Sequence, residues 1–343
     1  MANHVLVYAT RADAPIRGAD LEGFSTVIEL PRGHARRVLT IRKMIKRFSD
    51  VTVHAHSSLG GLYARFAMPK STSRRIVYTP HCYAFERADL PALVRALYWS
   101  AEWILSFNTT VFAACSPREA ELSSWLGSRG RVEYVPNIYP RDSILELHEG
   151  PRRSGPRLRL VGAGRIAAQK DPGFFAASVE ALRRKGFNVE ARWIGDGPPV
   201  WRKELEGAGV DILGWLDRED VFTALAESDI YIHSAAWEGF PIGLLEADAA
   251  GLPVIVRSAA WNRGLRIPNA IVQPTDIVGC VRKLMSSSDR LVALERQRNI
   301  FAGHTADKLR VALARVYETE RFQLRHDRPS LEPVDEAAGS PLA

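Results

Sequence analysis

At 343 residues, with 46% hydrophobic and 25% charged side chains, the chain has the composition of a soluble globular protein with two domains of ordinary size. Three widely spaced cysteines (Cys82, Cys115, Cys280), without a Cys-x-x-Cys pair, argue against a disulfide framework or a zinc site and fit a reducing cytoplasm. The net charge of +7 favours an anionic partner; with no helix-turn-helix, RNA-binding or zinc-finger signature, nucleic acid is the least supported and no nucleic-acid role is expected.

The opening MANHVLVYAT enters a strand directly, so no signal peptide is expected, and no run of 18 apolar residues predicts a spanning helix. Residues 5–8 and 26–30 read as short strands separated by a small, charged loop at 10–18. Over 34–48, Val38, Ile41, Ile45 and Phe48 recur at helical spacing, while Arg36, Arg37, Arg42, Lys43, Lys46 and Arg47 fill the other faces. A basic amphipathic helix of this kind fits either an anionic bilayer or the surface layer of an α/β domain. A strand at 51–55 runs through His54 and His56 into Gly60-Gly61, with a helix around Leu62, Arg65 and Phe66. The strand at 76–78 delivers Thr79-Pro80-His81 to its carboxyl end, where open parallel sheets bind ligands. Residues 90–107 form a helix that is apolar nearly all round, carrying Tyr98, Trp99 and Trp103; it is either core or interface-seeking. Strands at 111–115 and 132–135 follow, the second ending at Pro136-Asn137.

Residues 149–157, EGPRRSGPR, lack apolar periodicity and are expected to link two domains, 1–150 and 151–304. Beyond them strands at 158–161, 189–194 and 212–213 alternate with helices at 171–185, 200–207 and 217–226, which implies a parallel, doubly wound sheet in each half. A helix at 305–326 carries Leu309, Leu313, Val316 and Tyr317 on one face, and 327–343 has the composition of a disordered tail.

The densest stretch is 228–257, SDIYIHSAAWEGFPIGLLEADAAGLPVIVR, which reads strand, loop, helix, turn, strand. Pro241 suits the first helical position, and Gly251 with Pro253 ends the helix. Gly243 and Glu246, three apart, share a helix face. A bare glycine at a helix N-terminus leaves amides open to a phosphate, and a carboxylate one turn on can accept from two vicinal ribose hydroxyls. Glu238 lies in the loop before the helix. The other cationic element is VGAGRIAAQKDP at 161–172. Its Gly162-x-Gly164-x-x-Ala167 mimics a dinucleotide fingerprint, the mark of an NAD(P)-dependent oxidoreductase. That motif requires the glycines to open the helix directly, whereas Asp171 as N-cap and Pro172 as first helical residue place the helix several residues later.

The pair Glu238 and Glu246, in the spacing E-x(7)-E, closely resembles the signature of glycosyltransferase family 4, and Arg165 to Asp171 resembles its G-R-x-x-x-x-K-D segment. VTVHAHSSLGGLYAR and VYTPHCYAFER resemble its N-terminal half. The resemblance covers about residues 50–320 and implies the GT-B fold, two doubly wound Rossmann-like domains whose parallel sheets face across a cleft, with the final helix crossing back onto the first domain. It further implies a retaining transferase taking a nucleotide-sugar donor on the second domain and a saccharide or lipid-linked acceptor on the first. Glu246 would bind ribose, Arg165 and Lys170 the diphosphate, and Glu238 the donor sugar, with His81 on the opposite wall. Gly162, Gly164, Leu213, Trp215, Gly239, Phe240, Pro241, Ile242 and Gly243 would complete the donor site. The chain holds no Asp-x-Asp, so the cations are expected to replace a divalent metal: no cofactor and no metal are expected. Two departures stand out: Thr10-Arg11-Ala12-Asp13 replaces the family's glycine pair, and Ile138-Tyr139-Pro140 replaces the usual Gly-Val-Asp after Asn137. A GT-B-like binding protein without turnover is the other reading the sequence permits.

Overall fold

The computed structural model describes residues 4–10, 21, 23–71, 73–139 and 157–317. In the first domain, β1 (Val5–Tyr8), β2 (Thr26–Glu29), α1 (His34–Ile45), β3 (Val51–His56), α2 (Ser57–Ala67) and β4 (Arg74–Thr79) come first. They are followed by α3 (Ala92–Ser106), β5 (Val111–Ala114), α4 (Pro117–Leu122) and β6 (Arg131–Tyr134). All strand pairs are parallel: β3, β4, β5 and β6 form one sheet in chain order, and β1 pairs with β2. Helix α2 takes in Gly60-Gly61, which the sequence reading had left ahead of it.

The second domain comprises β7 (Leu158–Ala163), α5 (Pro172–Arg184), β8 (Val189–Ile194), α6 (Pro199–Gly207), β9 (Asp211–Gly214), α7 (Arg218–Ala226) and β10 (Ile230–His233). Then come α8 (Ile242–Ala249), β11 (Val254–Arg257), β12 (Ala270–Ile271), α9 (Ile277–Leu284), α10 (Ser287–Phe301) and α11 (Ala306–Tyr317). Its six parallel strands lie in the order β12-β11-β10-β7-β8-β9, so the winding reverses between β7 and β10. Such a switch point leaves a crevice at the carboxyl ends of the two strands. Alternate residues feed two cores. Leu160, Ile230, Ile232 and Ile255 face α5 and α9, whereas Val161, Tyr231, Val254 and Val256 face α7, α8 and Phe301. Burial on both faces is why these strands read as unbroken apolar runs.

Helix α11 returns to the first domain. Val316 is fully buried against Val77, Val111 and Ala113, and Arg75 donates to the carbonyl of Tyr317 at 2.8 Å. The expected linker at 149–157 except its last residue, the loop at 10–18 except its first, and everything after 317 lie outside the described residues. Helices α4, α9 and α10 and strand β12 were not anticipated.

Candidate functional site

A cleft of ≈ 320 Å³ opens between the domains, lined from the second by Ala163, Gly164, Lys170, Tyr231, Glu238, Gly239, Phe240, Pro241, Ile242, Gly243 and Glu246. The first domain contributes His81 and Asn137. It sits over the β7–β10 switch point.

Two loops build the cationic and acidic wall. The loop after β7 reaches Lys170 just before Asp171, whose carboxylate caps α5 by accepting from the Phe174 amide at 3.0 Å. Asp171 is therefore the N-cap and Pro172 the first helical residue, and Gly162 in β7 and Gly164 just after it stand a loop away from the helix, which removes the dinucleotide geometry. The loop after β10 is stitched to the first: Ala236 N donates to the Gln169 carbonyl at 2.9 Å and Ser234 Oγ to the Lys170 carbonyl at 2.6 Å. Across that seam Lys170 Nζ meets Glu238 Oε1 at 2.5 Å, and Gln169 Nε2 donates to Glu238 Oε2 at 3.2 Å. At Gly164 φ is 130°, and a Cβ there would stand 2.6 Å from Lys170 Cε. Any other residue would both strain the backbone and push the ammonium out of place.

His233, at the carboxyl end of β10, is 2% exposed; its Nε2 lies 3.7 Å from Glu238 Oε1 and has no hydrogen-bond partner. Burial, reinforced by the Lys170 charge, holds it well below the ordinary imidazole range, so the ring is neutral. Helix α8 begins at Ile242 with no side chain capping its amides, which leaves its positive end facing the cleft. Pro241 keeps an extended backbone (ψ 120°) and so precedes the helix by one residue rather than opening it. One turn on, burial raises the Glu246 carboxyl above its usual range, opposed by the charges of Arg218 and Lys170.

The opposite wall is made differently. His81 and Cys82, after β4, both have positive φ (51° and 86°), a conformation that costs non-glycine residues roughly 1–3 kcal/mol each and needs support from its surroundings. Glu119 supplies it: 1% exposed, it accepts from the Cys82 amide with one carboxylate oxygen and from the Cys115 amide, at 2.9 Å, with the other. Gly239 of the second domain abuts this turn. A Cβ on it would come within 2.9 Å of Cys82 N, Glu119 Oε1 and His81 C, so only glycine lets the two domains meet here. His81 Nε2 pairs with His56 Nδ1 at 2.9 Å, His56 stacks on His54 at 4.2 Å, and His54 bonds Thr79 Oγ1 (2.8 Å) and the Tyr317 hydroxyl (2.6 Å). Burial, with the mutual repulsion of neighbouring rings, lowers His54 to about 3 and His81 to about 4, and burial also lowers His56. Asn137 Nδ2 donates to the Phe240 carbonyl at 2.9 Å, and the Asn137 carbonyl accepts from His304, whose ring stacks on Phe240 at 4.2 Å.

Of the predicted residues, the cleft thus gathers His81, Gly164, Lys170, Glu238, Gly239, Phe240, Pro241, Ile242, Gly243 and Glu246. It does not gather four. Gly162 is buried against Phe175 and Trp193; Leu213 packs beside the second core; Trp215 stands 61% exposed past β9; Arg165, half-buried, follows Gly164 without joining the lining. Sequence reasoning missed Gln169, His233 and Glu119, and gave Asn137 no role. Glu119 had a signal, since Ser116-Pro117-Arg118-Glu119 follows the S-x-x-E pattern of a helix start. Ser116 Oγ indeed accepts from the Glu119 amide at 3.1 Å. His233, closing an apolar strand, carried none. Among the described residues no group of three His, Cys, Asp or Glu side chains is arranged to hold a metal ion, and no helix is long and apolar enough to cross a membrane.

Two family profiles match the chain in tandem: "Glycosyl transferase 4-like domain" over residues 3–138 and "Glycosyl transferases group 1" over 157–287. A Klebsiella pneumoniae protein described as an uncharacterized 41.2 kDa protein in the cps region is 26% identical over 65% of this chain; the match spans 64% of that relative, under two thirds of its length. The UDP-Gal:alpha-D-GlcNAc-diphosphoundecaprenol alpha-1,3-galactosyltransferase of Escherichia coli is 23% identical over 74% of this chain and 70% of its own. Among solved structures, a sucrose-phosphate synthase from Thermosynechococcus elongatus superposes with a TM-score of 0.68 at 15% identity, covering 88% of this chain and 84% of that one, a likeness of fold.

Proposed function

Because the chain belongs to the GT-B glycosyltransferases of the group 1 and 4-like families, we propose that it transfers a sugar from a nucleoside-diphosphate donor to a saccharide or lipid-linked acceptor, with retention and without a metal. The observation that carries this reading is the convergence of Lys170, Glu238, Glu246 and the uncapped start of α8 on one cleft facing His81. The diphosphate would lie on the α8 amides and Lys170, where fixed positive charge stabilises the developing charge of the leaving group. Glu246, held partly out of water, would accept from the ribose hydroxyls.

Glu238 would face the donor sugar. In the free protein it is the counter-ion of Lys170; a diphosphate drawing the ammonium away would release its carboxylate toward the sugar. Among the described residues the other carboxylate lining the cleft is Glu246, given to ribose, which favours the departing phosphate as the group that takes the acceptor's proton in a front-face substitution. A uridine nucleotide is the preferred donor half, in keeping with the UDP-sugar named for the Escherichia coli relative, whose lipid-linked acceptor also favours assembly of envelope polysaccharide on the cytoplasmic face of the membrane. Thermal-shift screening against a panel of UDP- and GDP-sugars tests the reading: a ligand at a hundred times its Kd adds about 2.7 kcal/mol to stability. The expected result is a shift with one nucleotide series that Glu246→Ala abolishes. A shift with nicotinamide dinucleotides alone would overturn it in favour of an oxidoreductase.

A further inference from the structure

The geometry points to a membrane-docking face on the first domain, made by α1, α2 and α3, whose partner is an anionic lipid surface. Helix α3 buries Glu102, Leu105 and Ser106, half-buries Val94 and Ala101, and is tied to the body by Arg95, which donates to the Phe85 carbonyl at 2.8 Å, and by Trp103, which donates to the Leu126 carbonyl at 3.2 Å; most of its remaining circumference is exposed. Leu93, Leu97 and Ile104 stand 74%, 63% and 61% exposed on one stripe, flanked by Trp99, Trp103 and Phe107. That is a wide apolar arc with indole rings along one side, the composition that settles at the boundary between headgroups and acyl chains. On α2, between α1 and α3, Leu59 and Phe66 are also exposed.

Charge selects the occupant. Helix α1, packed against α2, exposes Arg36, Arg42, Lys43, Lys46 and Arg47. Across the three helices the only carboxylate is Glu102, and it is buried in an ion pair with Arg65 at 2.8 Å. Helices with exposed cations, exposed indoles and no exposed acid, the exposed Asp50 and Asp89 lying just beyond their ends, match an anionic bilayer; a second copy of the same face would bring like charges together.

The face is also continuous with the cleft. Trp99 packs on Trp125 (5.6 Å between rings), and Trp125 on Tyr83 and Phe85 (5.8 and 5.9 Å). Tyr83 directly follows the His81–Cys82 turn of the cleft wall. Docking through α3 therefore holds the first-domain side of the cleft near the lipid surface, where an acceptor carried on a lipid anchor presents its head group. This last step rests on the transferase reading; the docking face itself does not.

The test is flotation of the full chain with vesicles of phosphatidylcholine alone and of phosphatidylcholine mixed with phosphatidylglycerol, with tryptophan emission recorded. The chain is expected to float with the mixed vesicles and not the neutral ones, with a blue shift. Leu97→Ser/Ile104→Ser should abolish the shift. Reversing Arg42, Lys43, Lys46 and Arg47 to glutamate should weaken partitioning more than tenfold, since each basic side chain near an anionic surface is worth on the order of fivefold. Absence of flotation by the wild-type chain, or undiminished flotation by folded variants, would overturn the proposal. So would a lipid-free dimer that Leu97→Ser/Ile104→Ser dissociates, because the face would then belong to a second copy. UDP affinity, measured on the same variants without lipid, should not change. Loss of lipid binding with UDP binding intact, or the reverse, tells failure of one reading from failure of the other.

Discussion

Two carboxylate–cation pairs, one in each domain, differ in how far they are closed off from water. In the first domain Arg65 and Glu102, 0% and 7% exposed at the side chain, are closed off from water. Arg65 also donates to the Gly61 carbonyl and lies 3.9 Å over the Tyr78 ring, and Glu102 takes the Tyr78 hydroxyl at 3.2 Å. In the second, Lys170 and Glu238 are 20% and 10% exposed and border an open cleft. One pair ties α2, α3 and β4 together. The other is a pair whose partners a ligand can exchange, so removing its members should cost function before it costs stability.

The comparison can be broken at its strongest point first. Glu102→Ala leaves the Arg65 charge buried without its counter-ion and should cost about 3–5 kcal/mol in urea unfolding; a loss no larger than that of an exposed pair would erase the distinction. Lys170→Ala should lower turnover by roughly 10²–10³ while leaving the unfolding curve close to wild type, and Glu238→Gln should likewise depress turnover more than nucleotide binding. Glu246→Ala should weaken nucleotide affinity by roughly 10², the worth of two hydrogen bonds to an ionised group, measured by calorimetry. The histidine wall supplies a smaller effect. His54 and His81 stay neutral in the fold down to about 3 and 4, but ionise near 6.5 once unfolded. The unfolded chain therefore binds more protons between those values, and stability should fall as pH drops from about 6.5 toward 4. Melting temperatures measured across that range should flatten in His81→Asn; an unchanged slope would remove the ring from the account. Chelation with EDTA should have no effect on turnover, and a strict divalent requirement would contradict the role given to Lys170.

What the sequence made legible was whatever local pattern encodes. The apolar runs of β7, β10 and β11 gave their parallel, doubly covered sheet, and Asp171-Pro172 marked the start of α5 because capping is a local hydrogen bond. Lys170, Glu238 and Glu246 were legible through the resemblance of their segments to the G-R-x-x-x-x-K-D and E-x(7)-E patterns, and Glu246 also through its place one turn after Gly243 on a helix face. What was not legible came from contacts between distant segments. Glu119 lies 37 residues from the Cys82 amide it holds, and Arg65 37 from Glu102. Nothing within either segment specifies such a partner. Gly162 misled for the same reason: its place against Phe175 and Trp193 is a packing role that a short motif cannot distinguish from ligand contact. Helix α3 is the reverse case: its apolar circumference favours a core place over an interface, and only the packed neighbours show how little of it is covered.

Segments of both domains should close on one diphosphate-bearing ligand, and hydrogen exchange with and without uridine diphosphate tests that most directly. Slowed exchange is predicted together in 162–171, in 238–246 at the start of α8, and at the 79–83 turn of the first domain. Protection confined to other segments, or none at a nucleotide concentration that shifts the melting temperature, would contradict it.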